Sequence, residues 1–177
     1  MRTDETNAKV LRLLFDFPTR QFHIREISRV LEISAPAISK AVTLLEKENF
    51  LVHEKGFVSK IYAKKDDNFK NLKRANNLEE LYKSHIINHL TESLGQVTLI
   101  IYGPYSKGED DENSELCLAI LDYEKEKKID LKSFEKQLNR KIDLKFINLK
   151  NAPFDLKEML INGVVLNGKL NLKEVSH

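Results

Sequence analysis

The stretch Ser34-Ala-Pro-Ala-Ile-Ser-Lys-Ala-Val-Thr-Leu-Leu-Glu-Lys-Glu48 decides how the first third of this chain is read. Ser34 is a residue type that caps helix N-termini, and Pro36 stands in the first turn, where a missing backbone N–H does no harm. Cap and proline place one boundary, so a helix is expected over Ala35–Glu48. Ile38, Val42 and Leu45 then share one face. Pro36, Ala37, Ser39, Lys40 and Thr43 fall on the other face or its flank, where short and polar side chains leave the helix free to approach another surface closely.

Working outward, Asn7–Asp16 carries Val10, Leu11, Leu14 and Phe15 at helical spacing and is closed by Pro18. Arg25–Leu31 reads as a second helix, with Ile27, Val30 and Leu31 apolar and Arg25 and Arg29 available for phosphates. The tight turn Glu32-Ile33-Ser34 joins it to the third. Beyond Phe50, residues Leu51–Lys55 and Val58–Tyr62 flank Gly56 as two strands of a hairpin with Lys55, Lys60, Lys64 and Lys65 along it. Three helices and a hairpin in this order describe a winged helix-turn-helix. In that arrangement the third helix enters the major groove, with Ser39, Thr43 and Lys40 able to reach bases or phosphates, and the hairpin lies against neighbouring phosphates.

The charge distribution agrees with this reading. Residues 1–65 carry twelve basic against eight acidic side chains, whereas residues 66–94 and 95–177 each have a net charge of −1. The overall charge of +2 hides that asymmetry. With 41% hydrophobic and 32% charged residues and no low-complexity tract, the chain is expected to be globular. No run of 18 apolar residues and no signal-peptide pattern occurs, so a cytoplasmic protein is expected. The lone Cys117 excludes an internal disulfide and a cysteine-based zinc cluster.

Asp66–Leu94 is expected to be helical, with a break near Asn76 and Asn77. Its apolar positions Leu78, Leu81, Tyr82, Ile86, Leu90 and Leu94 need a partner, either the chain's own second domain or the same helix of another subunit. His85 and His89 lie four apart, a zinc-ligand spacing, but no third ligand accompanies them. From Val97 the pattern becomes strand (Val97–Tyr102), polar turn or short helix (Gly103–Asn113), strand (Leu116–Leu121), helix (Leu131–Asn139), strand (Ile142–Asn148) and helix (Asp155–Asn162), the last stopped by Gly163. The expected class is α+β: a winged helix-turn-helix at 1–65, a helical linker at 66–94 and a small α/β domain at 95–177.

Two resemblances carry this further. Ile27 to Leu51 resembles winged-helix regulators of the multiple-antibiotic-resistance repressor (MarR) type, which implies a homodimer on a pseudo-palindromic site. The second half resembles the minimal nucleotidyltransferases, in which a strand ends in Gly-Ser, the next strand holds Ser-Asp-x-Asp, and a third Asp follows. Here the matching runs are Tyr102-Gly103-Pro104, Ser114-Glu115-Leu116-Cys117 and Asp143. Magnesium-dependent transfer needs hard carboxylate ligands, and Cys117 is a soft thiol in place of the second Asp. Glu115 has a longer arm than the first, and Pro104 replaces the Ser that would touch phosphate.

Among the four acidic residues Glu109–Glu112, a solvated loop is expected rather than a metal site. There is no phosphate-binding Gly-x-x-x-x-Gly-Lys-Ser/Thr and no Gly-x-Ser-x-Gly nucleophile motif. The expectation is therefore a non-enzymatic, sequence-specific transcription regulator that binds double-stranded DNA and uses no cofactor or metal. Contacts with the transcription machinery fit that role, and no membrane partner is expected. The pairing of modules resembles a group of archaeal proteins that includes regulators of archaellum genes. The competing expectation is a nucleotidyltransferase tethered to DNA or to a partner, of the toxin-antitoxin kind, and a third is a structural interaction module.

Overall fold

The computed structural model describes residues 5–57, 59–123 and 127–171, and it combines helices and strands in an α+β arrangement. The chain divides into two compact units, Met1–Lys73 and Arg74–His177. The dividing point lies inside a helix, downstream of the expected boundary at residue 65.

In the first unit, α1 (Glu5–Asp16), α2 (Ile24–Leu31) and α3 (Ala35–Lys47) precede a hairpin of β1 (Leu51–Glu54) and β2 (Lys60–Ala63). Val58, expected in the second strand, lies outside the described residues. The hairpin is antiparallel, with Leu51 opposite Ala63 and Glu54 opposite Lys60. Leu14, Ile27, Ile38 and Leu45 are fully buried in the core, and the ring of Phe69 meets Phe15 at 5.1 Å between centroids. Removing most of such a side chain, as in Leu45→Ala, costs about 2–5 kcal/mol. Val30 does not join this core and is 52% exposed. A run of apolar residues only one turn long does not settle which of them face inward.

The helix after the hairpin, α4 (Asp67–Lys83), is continuous through Asn76 and Asn77. The break falls at His85, whose φ of 61° places it in the left-handed region, and α5 follows at Ile86–Leu94. Asn77 had suggested a break because its amide competes with helical backbone. Instead it is buried and donates to the Tyr105 carbonyl at 2.9 Å and to Asp110 Oδ1 at 2.8 Å. The polar side chain is thus satisfied by tertiary partners and the helix continues.

In the second unit, four strands are ordered β5-β4-β3-β6: Ile142–Ile147, Leu116–Leu121, Thr98–Tyr102 and Val164–Asn167. β3 is antiparallel to both neighbours, whereas β4 and β5 are parallel and are joined through α7 (Lys132–Leu138). The alternation along β3 sends Leu99 and Ile101 to one core and Ile100 and Tyr102 to another. The first core also takes Leu81, Ile86, Leu90 and Leu94, so most of the apolar stripe of the linker is consumed by the chain's own second unit. Tyr82 stays 53% exposed.

The opposite face is covered by α8 (Phe154–Ile161) through Leu156 and Leu160. α6 (Pro104–Lys107) is a single turn between β3 and β4. The strand β6 was not expected from the sequence. At Gly163, just before it, an added Cβ would lie 2.6 Å from the Ile101 carbonyl oxygen. The glycine therefore permits a close backbone approach as well as following the helix.

Candidate nucleic-acid interface

The turn between α2 and α3 is held by three bonds. Glu32, with φ of 56°, donates its N–H to the Ser28 carbonyl; Ile33 N–H does the same at 3.1 Å; the Ser28 hydroxyl donates to the Ile33 carbonyl at 2.6 Å. This closure fixes the angle at which α3 leaves. Ser34 occupies the N-cap position with extended backbone, but its side chain makes no capping bond. Its position was read correctly and the expected hydrogen bond was not found, which leaves the hydroxyl exposed at the start of the helix.

Along α3, Ile38, Ala41, Val42 and Leu45 are buried, while Pro36, Ser39, Lys40 and Thr43 are exposed and Ala37 is half-buried. Thr43, which is exposed, donates its hydroxyl to the Ser39 carbonyl at 2.9 Å, so its oxygen remains available as an acceptor. Arg25 and Arg29 are exposed on α2. Lys55 lies just past β1 and Lys60 opens β2, and both are exposed. Among the described residues, Arg25, Arg29, Lys40, Lys55 and Lys60 make no ion pair.

Two basic residues behave differently. Arg20 is held by Glu26 Oε1 at 2.5 Å and sits 4.9 Å above the Phe22 ring, so it braces the segment before α2. Lys64 reaches Asn49 Oδ1 at 3.2 Å and Asp66 Oδ2 at 3.4 Å, so it is partly committed to its own chain. Lys47 was overlooked in the sequence. It is exposed seven residues after Lys40, nearly eclipsed with it on a 3.6-residue helix, and that spacing is the signal that points to it.

The hairpin is braced on the segment that leads into α2. Phe22 and Ile61 exchange backbone hydrogen bonds, each at 2.8 Å, and the His23 ring nitrogen Nδ1 meets the Ser59 carbonyl. His53 Nε2 bonds Ser59 Oγ at 2.7 Å, and Tyr62 donates to Glu54 Oε1 at 2.7 Å. That bond to Glu54 raises the Tyr62 hydroxyl above its ordinary pKa.

The second unit holds another polar cluster. Tyr102, Cys117 and Asp143 stand side by side across β3, β4 and β5, since Tyr102 pairs with Cys117 and Cys117 with Asp143. Lys145, two residues along β5, reaches Asp143 Oδ2 at 2.9 Å. Burial pushes the Cys117 thiol above its ordinary value, and the Asp143 charge adds to this. Hydrogen bonding to Asp143 raises the Lys145 ammonium above its ordinary pKa, so Lys145 stays charged at neutral pH. Burial also raises the Tyr102 hydroxyl.

The acidic run is not wholly a solvated loop. Asp110 is buried and paired with Arg140 at 3.0 Å, while Asp111 accepts from the Asn113 N–H and the Ser114 hydroxyl. The His89 ring packs 5.1 Å from that of Phe134, and His85 is exposed at the helix break. Among the described residues, no group of three or more His, Cys, Asp or Glu is placed to hold a metal ion, and no helix is long and apolar enough to cross a membrane.

No protein-family model matches the chain, and no characterised protein matches it by sequence. Among solved structures, the adhesin competence repressor (AdcR) from Streptococcus pyogenes aligns over 52% of this chain and 68% of its own, with 19% identity and a TM-score of 0.40. A toxin-antitoxin crystal structure with AMP-PNP aligns over 51% and 77%, with 20% identity and a TM-score of 0.36. Superpositions this loose carry no functional argument.

Proposed function

We propose that the first unit is a winged helix-turn-helix that binds double-stranded DNA and that the protein is a sequence-specific transcription regulator. The observation that carries this is α3: a helix with one buried face whose exposed stripe is short and polar and includes Lys40, in a unit with further exposed cations that have no acidic partner among the described residues. Small side chains let the helix axis come close to the groove floor, and Ser39, Thr43 and Lys40 then supply donors and acceptors to base edges. Arg25, Arg29, Lys55 and Lys60 serve the phosphates, adding affinity that falls as salt rises. Selection of bound sequences from a random duplex pool tests the reading. A recovered motif with two half-sites fits a regulator acting as a dimer, and a pool that is not enriched rejects sequence-specific binding.

For the second unit the reading is a nucleotidyltransferase-like domain without transferase activity. Transfer chemistry needs carboxylates free to hold magnesium. Here the position beside Asp143 is a protonated thiol, and Asp143 already has Lys145 as its cation. The competing reading, a working nucleotidyltransferase, predicts saturable magnesium-dependent nucleotide binding that Asp143→Ala abolishes. Equilibrium dialysis with labelled ATP and magnesium separates the two.

A further inference from the structure

We infer that β5 is an interface between two copies of this chain, which join edge to edge as antiparallel strands with Leu144 on the two-fold axis. The inference does not depend on what the first unit binds.

β5 stands at one end of its sheet, and among the described residues no strand pairs with its outer side. Leu116 donates its N–H to the Lys141 carbonyl, and Asp122 donates its own to the Ile147 carbonyl. In a parallel ladder both backbone groups of alternate residues face the same neighbour, so the odd-numbered residues of β5 serve β4. Ile142, Leu144 and Phe146 therefore turn N–H and C=O away from the sheet. Glu135 Oε1 takes the Ile142 N–H at 3.1 Å. Beside the strand an open groove of about 1220 Å³ is lined by all of β5 and by residues 127–132. Such an edge is a template for a further strand.

The side chains of β5 select a second copy of β5 as that strand. With Leu144 on the axis, Leu144 exchanges both backbone bonds with its counterpart, and the Phe146 N–H of each copy meets the Ile142 carbonyl of the other. The bond to Glu135 is left undisturbed. Ile142, Leu144 and Phe146 lie half-buried on the apolar face, so apolar side chains meet across the seam. On the opposite face Asp143 of each copy stands across from Lys145 of the other, a favourable cross-strand pair made twice by symmetry. Placing the axis on Asp143 or on Lys145 instead sets like charges opposite each other. The other edge strand, β6, runs Val164–Asn167 without a charged residue and has no such selection of register. An unrelated extended peptide would use the backbone edge without the charge order.

Sedimentation equilibrium of the full-length protein, without DNA, tests the interface. The wild type is expected to dimerise with a Kd below about 100 µM. The amides of Leu144 and Phe146 are expected to gain protection from hydrogen exchange as concentration rises. Asp143→Lys sets a lysine opposite Lys145, and Lys145→Asp sets an aspartate opposite Asp143. Each substitution alone is expected to raise the Kd about ten-fold or more, since both cross-strand pairs turn repulsive. Mixed in equal amounts, the two variants are complementary again and should form a heterodimer near wild-type affinity. The doubly exchanged chain, Asp143→Lys with Lys145→Asp, should associate with itself as the wild type does. Recovery in either form separates repulsion at the seam from a folding defect.

A wild type that stays monomeric at that concentration overturns the proposal. So does a dimer indifferent to both substitutions, or one whose concentration-dependent protection lies outside β5, because the interface is then elsewhere. Weakening that neither mixing nor the double exchange reverses overturns it as well.

Discussion

In the first unit Arg25, Arg29, Lys40, Lys55 and Lys60 stand in solvent without acidic partners among the described residues; in the second, Arg140 and Lys145 are each held by a carboxylate, at 3.0 Å and 2.9 Å. The same residue types serve opposite ends. A cation that closes an ion pair within the fold supports that fold, whereas one left unpaired in solvent keeps its field available to a polyanion. On the proposed reading, the exposed cations of the first unit meet DNA, whereas Arg140 and Lys145 have a structural part in the second.

The sharpest way to break this contrast is to remove a cation that the second unit uses for itself. Arg140→Ala removes the ion-pair partner of Asp110, which is fully buried and keeps its bond from Asn77, and also removes donors to the carbonyls of Asp111 and Ser114. A loss of about 3–5 kcal/mol is expected in urea unfolding, with DNA affinity unchanged in the fraction that remains folded. A stability change under 1 kcal/mol would contradict the structural role.

Lys40→Ala tests the other side. Folding should be unaltered, while affinity for a selected site falls by about 1–3 kcal/mol and preference relaxes at one base position, as read by competition binding. Lys60→Ala should have a milder and more uniform effect, weakening all duplexes alike and lowering the salt slope by about one. If neither change alters binding, the assignment of α3 and the hairpin to DNA is wrong.

The smallest expected effect is at Cys117. Burial and the neighbouring Asp143 both favour the thiol over the thiolate, so labelling by a disulfide reagent near pH 8 should be slow. Asp143→Asn removes the negative charge, lowers the thiol pKa and quickens the reaction. An unchanged rate would mean that burial alone governs Cys117.

Where the sequence was legible, a local rule had a single outcome. Pro36 permits little but a helix start, and the β-branched and apolar run around Leu118–Ile120 reads as strand β4 with matching ends. Misreadings occurred where tertiary structure decides. Asn77 suggested a break because its satisfying partners, the Tyr105 carbonyl and Asp110, are about 30 residues away in the chain. β6 escaped notice because four residues after a glycine show too little alternation, and its pairing with β3 is a long-range event.

At the candidate interface, the placement of Ser39, Lys40 and Thr43 on the open face of α3 was readable from helical period alone. The exposure of Phe57, next to Gly56 in the hairpin, was not, since the sequence of a turn does not tell whether a side chain there finds a neighbour.

Lys145 has one more implication. Its ammonium is a counter-ion on a leash, bound by the backbone and unable to diffuse away. A site balanced by a dissolved divalent ion follows the ionic composition of the cell, but the charge of Asp143 is met whatever the magnesium supply. This corner of the sheet should therefore keep its form under chelation.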